Sequence, residues 1–215
     1  MLTVNNKTNE IFIYDTIGED WFGGGITAKA VIDAIDMLDG KRALVRINSP
    51  GGIADEGIAI YNALKRYDGG VDTVVDSLAA SAASVIALAG ENRTTSQGAR
   101  WMIHRAMGLA IGNAPEMTKT AEILAKYDQS LVQIYSEYMP AGTDIMALLT
   151  AETWYTAEEA IAAGLSTGKV ESKSDAKPVN ARWFKNAPQN LFEMPKQIAA
   201  SFRPKVTTSF QFGSR

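Results

Sequence analysis

One imidazole and one serine-rich apolar run are the parts of this chain whose chemistry goes beyond packing. His104 is the only histidine among 215 residues, and it closes the run Trp101-Met102-Ile103. Imidazole is the side chain best suited to take up and return a proton near neutral pH. With a single histidine, any serine–histidine mechanism has to run through position 104. A zinc site would have to combine one imidazole with carboxylates, an unusual donor set. No cysteine is present, which excludes disulfides, thiolate metal sites and a cysteine nucleophile. A histidine at the end of an apolar strand also fits a plain core residue, so its position alone does not assign it a role.

The serine run is Asp76-Ser77-Leu78-Ala79-Ala80-Ser81-Ala82-Ala83-Ser84. Here a β-branched strand gives way to an apolar helix. A serine at such a junction lies beside backbone N–H groups that have no helical partner, at the positive end of the helix dipole. That field favours an oxyanion forming next to it. Flanking alanines admit a substrate backbone, although Ala/Ser runs serve tight packing equally well. A third feature is Ile47-Asn48-Ser49-Pro50-Gly51-Gly52, a strand that ends in two glycines. Glycine allows backbone geometry other residues resist and can leave N–H groups facing a ligand. An ordinary turn would use the same residues.

The elements that must position these groups can be read from hydrophobic period and punctuation. EIFIY at 10–14 and ALVRI at 43–47 read as strands, as do Val71 to Val75 and Trp101 to His104. Ala28, Val31, Ile32, Ile35 and Leu38 recur at helical spacing before Gly40, and a second helix fits 54–66. A long helix is expected over 114–139. Met117, Ala121, Leu124, Leu131, Tyr135 and Tyr138 stripe one face of it and look like a packing face, with Asp128 in the place the stripe skips. Thr156 and Glu159 form a capping box for a last helix, and Gly164 lies just past its end. Strands alternating with helices imply crossovers and a largely parallel sheet. After about Ser172 the pattern fades, and Pro178, Pro188, Pro195 and Pro204 punctuate the remainder.

Composition bounds the rest. An apolar fraction of 46% supports a real core, and the length suits one substantial α/β domain. No run approaches the roughly 18–20 apolar residues of a membrane span, and the first residues lack the features of a secretory signal. Net charge is −3, unevenly spread: residues 1–170 carry 13 Lys/Arg against 21 Asp/Glu, and residues 171–215 carry 8 against 3. We therefore expect a domain over 1–170 and a basic extension over 171–215. A basic tail without interleaved aromatic repeats is a weak nucleic-acid signal, so no nucleic acid and no membrane is expected as a partner.

Taken together, INSPGG at 47–52, AAS at 79–81 and MIH at 102–104 resemble, in order, the signature blocks of the ClpP family of serine peptidases. The resemblance covers about residues 10–170. GIAIYNALK at 57–65 and LAASAASVIALAG at 78–90 look similar to the phage-encoded branch associated with prohead maturation. The resemblance implies the ClpP/crotonase-like spiral of β-β-α units, with a protruding handle helix at 114–139. It implies Ser81 as nucleophile and His104 as general base. It places the oxyanion hole at the N–H groups of Gly52 and Ala82, and substrate contacts at Gly51, Ile53 and Arg105. Aligning AEEAIAAGL at 157–165 with the family puts Glu152 where an aspartate is usual, with Asp144 and then Asp128 as the other candidates. Homo-oligomeric rings, a polypeptide substrate, no cofactor and no metal are implied by the same likeness, as is a cytoplasmic location (host cytoplasm or procapsid).

The chain also departs from the family. Ser77 stands where glycine is usual and would be strained if that position needs a positive φ. Ser77 and Ser84 are rival serines. The amino-terminal segment looks short for docking an ATPase ring, which puts an ATPase partner in doubt. Other readings stay open: a crotonase-type acyl-CoA enzyme, a Ser–Lys peptidase using Lys65, or an inactive ring scaffold.

Overall fold

The computed structural model describes residues 2–19, 24–171 and 186. The expected basic extension falls almost wholly outside them. Eight strands form one sheet: β1 (Thr3–Asn5), β2 (Glu10–Ile13), β3 (Ala43–Ser49), β4 (Val71–Ala80), β5 (Arg93–Ser96), β6 (Arg100–Ile103), β7 (Thr153–Tyr155) and β8 (Gly168–Val170). Six helices join them: α1 (Ala28–Asp36), α2 (Ala54–Lys65), α3 (Ala82–Ala87), α4 (Ala114–Ser136), α5 (Ile145–Thr150) and α6 (Ala157–Ala162). The sheet order is β1-β2-β3-β4-β5-β8, with β6 paired to β4 and β7 to β6. All pairings are parallel except β1–β2 and β6–β7. The expected largely parallel α/β sheet is what forms.

The helices start where the sequence provides caps. The Thr27 hydroxyl accepts from the Ala30 N–H at 3.2 Å at the head of α1. Asn113 and Glu116 close a reciprocal capping box on α4, with Pro115 in its first turn, and Thr156 and Glu159 do the same on α6. Each cap satisfies N–H groups that a helix start otherwise leaves orphaned.

The long strand β4 makes the fold distinctive. Its first half pairs with β5 through Thr73–Val75, and its second half pairs with β6 through Leu78–Ala80. The sheet thus forks between Val75 and Leu78. On the other side, β4 takes up extra residues against β3, since Ile47 pairs with Val75 but Ser49 pairs with Ala79. Such a bulge bends a strand and re-aims the residues beyond it. Buried Asp76 sits at the fork and ties it together. Its carboxylate accepts from Arg46 Nε at 2.9 Å and Nη2 at 2.5 Å, from Tyr14 Oη at 2.5 Å and from Ser96 Oγ at 3.4 Å. Burial and the adjacent Asp76 push the Tyr14 phenol up to about 12.

Two expectations need correcting. β4 does not stop near Val75: it runs five residues further, so the strand-to-helix junction falls at Ser81 itself. Ser77 is therefore ordinary strand and carries no positive φ; the strained serine is Ser81. The stripe on α4 is also only half a packing face. Asp128 and Tyr135 are buried, whereas Met117 is 49% exposed and the first turns protrude as a handle. Periodicity cannot tell a face that meets its own core from one presented outward.

The shorter strands β1, β5, β7 and β8 and the short helix α5 left no readable period. Three or four residues form these strands only because neighbours already present a paired edge. Trp101, fully buried in β6, anchors that edge by donating its indole N–H to Thr95 Oγ1 at 2.9 Å.

Candidate active site

Four strand ends meet at one rim of the sheet, and register alone explains which residues they deliver. β4 and β6 are parallel neighbours with Ala80 opposite Met102, so the residues just past their ends lie side by side. Ser81 donates its N–H to the Met102 carbonyl at 2.9 Å. The Ser81 hydroxyl then stands 2.7 Å from His104 Nε2. β7 runs antiparallel to β6 with Ile103 opposite Thr153. One step further along that register sets Glu152 across from His104. On the other flank, the paired ends of β3 and β4 bring Gly51 against Ser81. Carboxyl ends of parallel strands are where α/β sheets gather their ligand-binding groups.

Ser81 holds an unusual backbone conformation, φ 54° and ψ −128°. A non-glycine residue there costs about 1–3 kcal/mol and persists only where surroundings enforce it. They do so here. The Ser81 carbonyl accepts from the Ser84 N–H at 2.9 Å and the Ser84 hydroxyl at 2.5 Å. Ser84 is itself bonded to the fully buried Tyr135 hydroxyl at 2.8 Å. The rival Ser84 is thus a brace, linking the Ser81 turn to α4.

Gly51 and Gly52 are required as glycines. Gly51 has φ 88°, and a Cβ on it would lie 2.5 Å from the Ala80 carbonyl oxygen and 2.6 Å from Ser81 Cβ. A Cβ on Gly52 would collide with the Ile17 carbonyl. That second contact reflects a device the sequence did not disclose. Ile17 donates its N–H to the Gly51 carbonyl at 2.9 Å and accepts from the Ile53 N–H at 2.9 Å. An isolated bridge of this kind has no run of residues to announce it. It holds the glycine turn next to the first turn of α3, where the Ala82 N–H has no place in the intrahelical ladder.

Electrostatics favour a neutral imidazole. Burial pushes the His104 pKa below its ordinary value; the Glu152 carboxylate, and more weakly Asp128, push it back up. Of the three candidate acids, Glu152 acts most strongly on the imidazole. Asp128 is buried and occupied with the segment after His104, accepting from Arg105 Nε at 2.7 Å and from the Ala106 N–H at 2.8 Å. Exposed Asp144 caps α5 by accepting from the Ala147 N–H at 3.0 Å. Lys65 ends α2 with its ammonium 5.9 Å from the Tyr138 ring centroid, and it does not line the cleft.

That cleft, about 940 Å³, runs past Ser81 and His104. Gly52, Ile53, Arg105 and Leu131 are also among its walls. Its walls are mostly apolar, as side-chain pockets require.

A family model for Clp protease matches residues 2–172. The chain belongs to the Clp protease family. This Clp protease-family chain is 32% identical over 167 residues to the ATP-dependent Clp protease proteolytic subunit 1 of Chlamydia abortus, covering 72% of this chain and 87% of that one. It is 31% identical over 176 residues to the ATP-dependent Clp protease proteolytic subunit of Ligilactobacillus salivarius, covering 80% and 87%. A ClpP1 mutant from Listeria monocytogenes superposes with TM-score 0.65 at 23% identity, over 78% of this chain and 94% of that one. The fold is thus the ClpP-like α/β fold, and Clp proteolytic subunits are serine endopeptidases.

Proposed function

We propose that this chain cleaves polypeptides with Ser81 as nucleophile, His104 as general base and Glu152 as the acid that orients the imidazole. The observation that carries the reading is the 2.7 Å contact between Ser81 Oγ and His104 Nε2. Ser81 Oγ attacks the scissile carbonyl carbon while its proton passes to Nε2. The N–H groups of Gly52 and Ala82 receive the oxyanion, a role whose loss typically costs about a hundredfold or more in rate. His104 then gives the proton to the leaving amine, and water hydrolyses the acyl-enzyme with the same base. Gly51, Ile53 and the segment from Arg105 hold the substrate as an added strand.

For the substrate we propose a capsid or scaffold protein of a phage prohead, processed without an ATPase. The wording of 57–65 and 78–90 supports that branch. For assembly we propose a homo-oligomeric ring. Leu109 and Ile111, each 89% exposed, together with Met117 and Ile123 give the handle region an apolar surface that supports it. Among the described residues no helix is long and apolar enough to cross a membrane.

The test uses a fluorophosphonate probe and a candidate capsid or scaffold substrate. Wild type is expected to label at Ser81 and to cut the substrate; Ser81→Ala does neither. A wild type that never labels, with its oligomer intact, would point instead to a ring scaffold. Full activity in His104→Ala would favour a lysine base.

A further inference from the structure

Glu152 breaks a local rule. It comes directly after Ala151, the C-cap of α5, with φ 52°. That position is normally glycine or asparagine, because side chains resist the left-handed region. A glutamate also has one more rotatable bond than the aspartate usual in Ser-His-Asp sites, so its carboxylate is harder to hold still. Something has to fix it. In this structure one fixing group comes from far along the chain. Asn186 donates its backbone N–H to Glu152 Oε1 at 2.6 Å, and its carboxamide Nδ2 donates to the Ala151 carbonyl at 3.1 Å. The Trp154 indole N–H approaches the same Oε1 at 3.4 Å. Asn186 therefore docks at two points on the 151–152 turn. One donor meets a helix-end carbonyl that needs a partner, and the other meets the carboxylate. Asn186 lies beyond residue 172, where the match to the family model ends, so the clamp is supplied by sequence outside the shared domain.

We propose that Asn186 is a positioning residue for Glu152, holding the acid that acts on His104. This role rests on the peptidase reading above and extends the residues that serve the site to Asn186. Engaging Oε1 restricts the rotamers open to the carboxylate that acts on His104. The charged groups acting on His104 are Glu152 and Asp128, with Arg105 paired to Asp128; Asp15, Glu19 and Asp55 line the same cleft.

The test keeps the full chain and compares Asn186→Ala, which retains the backbone N–H, with Asn186→Pro, which removes both donors. Each is made with Glu152 and with Glu152→Gln. The readouts are the rate of fluorophosphonate labelling at Ser81 across pH, and kcat and KM on a peptide. Loss of a charge-assisted bond at a half-buried site predicts about a tenfold fall in labelling rate and kcat for Asn186→Pro, with KM unchanged. Asn186→Ala is expected to lose about threefold. With the acid loosened, the imidazolium is less stabilised, so the acid limb of the profile moves to lower pH. In the Glu152→Gln background neither change adds a further loss, as expected for residues acting as one unit. A labelled wild type whose Asn186 variants match it in rate and pH profile overturns the proposal, as does an equal loss in both backgrounds. A wild type that does not label overturns the peptidase reading instead, and the positioning role falls with it.

Discussion

At the residue scale, the proposed chemistry depends on keeping His104 neutral and oriented. Burial and Glu152 act on it in opposite directions, and burial is the larger influence. Only neutral imidazole accepts the Ser81 proton, and its folded-state pKa lies below the ordinary value. kcat/KM should therefore rise with pH through a limb centred below the ordinary histidine value. A limb centred above that value would contradict it. The acids separate cleanly by mutation. Glu152→Ala is expected to lower kcat by about a hundredfold or more, the usual scale for losing part of an acid–base apparatus. Asp144→Ala is expected to leave kcat alone and cost about 1 kcal/mol of stability, because it removes a helix N-cap. Steady-state kinetics and urea unfolding of the two variants, side by side, decide between them.

At the element scale, the forked strand β4 does the positioning, and Asp76 holds the fork. Its carboxylate joins Arg46 on β3, Tyr14 past the end of β2 and Ser96 on β5. Removing one partner of a buried ion pair leaves the other charge uncompensated, at a typical cost of about 3–5 kcal/mol. Arg46 keeps some solvent access, with a side chain 21% exposed, and a second carboxylate partner in Glu10 at 3.4 Å, so Asp76→Ala should cost about 3 kcal/mol, at the low end of that range. Denaturant titration reads the loss, and a change under about 1 kcal/mol would show that the fork stands without it. The starts of α2, α4 and α6 were legible because glycines or capping residues precede them, whereas α4 ends at Ser136, short of the expected 139. The extent of β4 was not. Its second half is Asp-Ser-Leu-Ala-Ala, residues with little strand preference, and they are strand because β3 and β6 flank them on both edges.

At the scale of the whole molecule, the protruding half of α4 and the loop before it place apolar side chains in solvent. A buried glutamate at such a contact cannot find a partner, whereas on a free monomer it would be harmless. Leu109→Glu with Ile111→Glu is therefore expected to reduce a ring to smaller species by light scattering without lowering the unfolding midpoint of the protomer. A wild type already monomeric at micromolar concentration would remove the ring from the account.

The residue types at 51–52, 81 and 104, together with their order along the chain, were sufficient to name the family and to single out a nucleophile candidate and a candidate base. Those features are local: a glycine pair, a serine at a junction and a lone histidine can each be read from a few neighbouring letters. Which acid reaches the imidazole was a different kind of question. Glu152 faces His104 because β7 lies antiparallel to β6 in one particular register, and Asp144 is spent on a helix cap two turns earlier. Asn186 joins them across 34 residues of sequence. Register and long-range docking are decided by which edges and faces are left to be covered once the sheet has formed, and only the assembled tertiary structure specifies those.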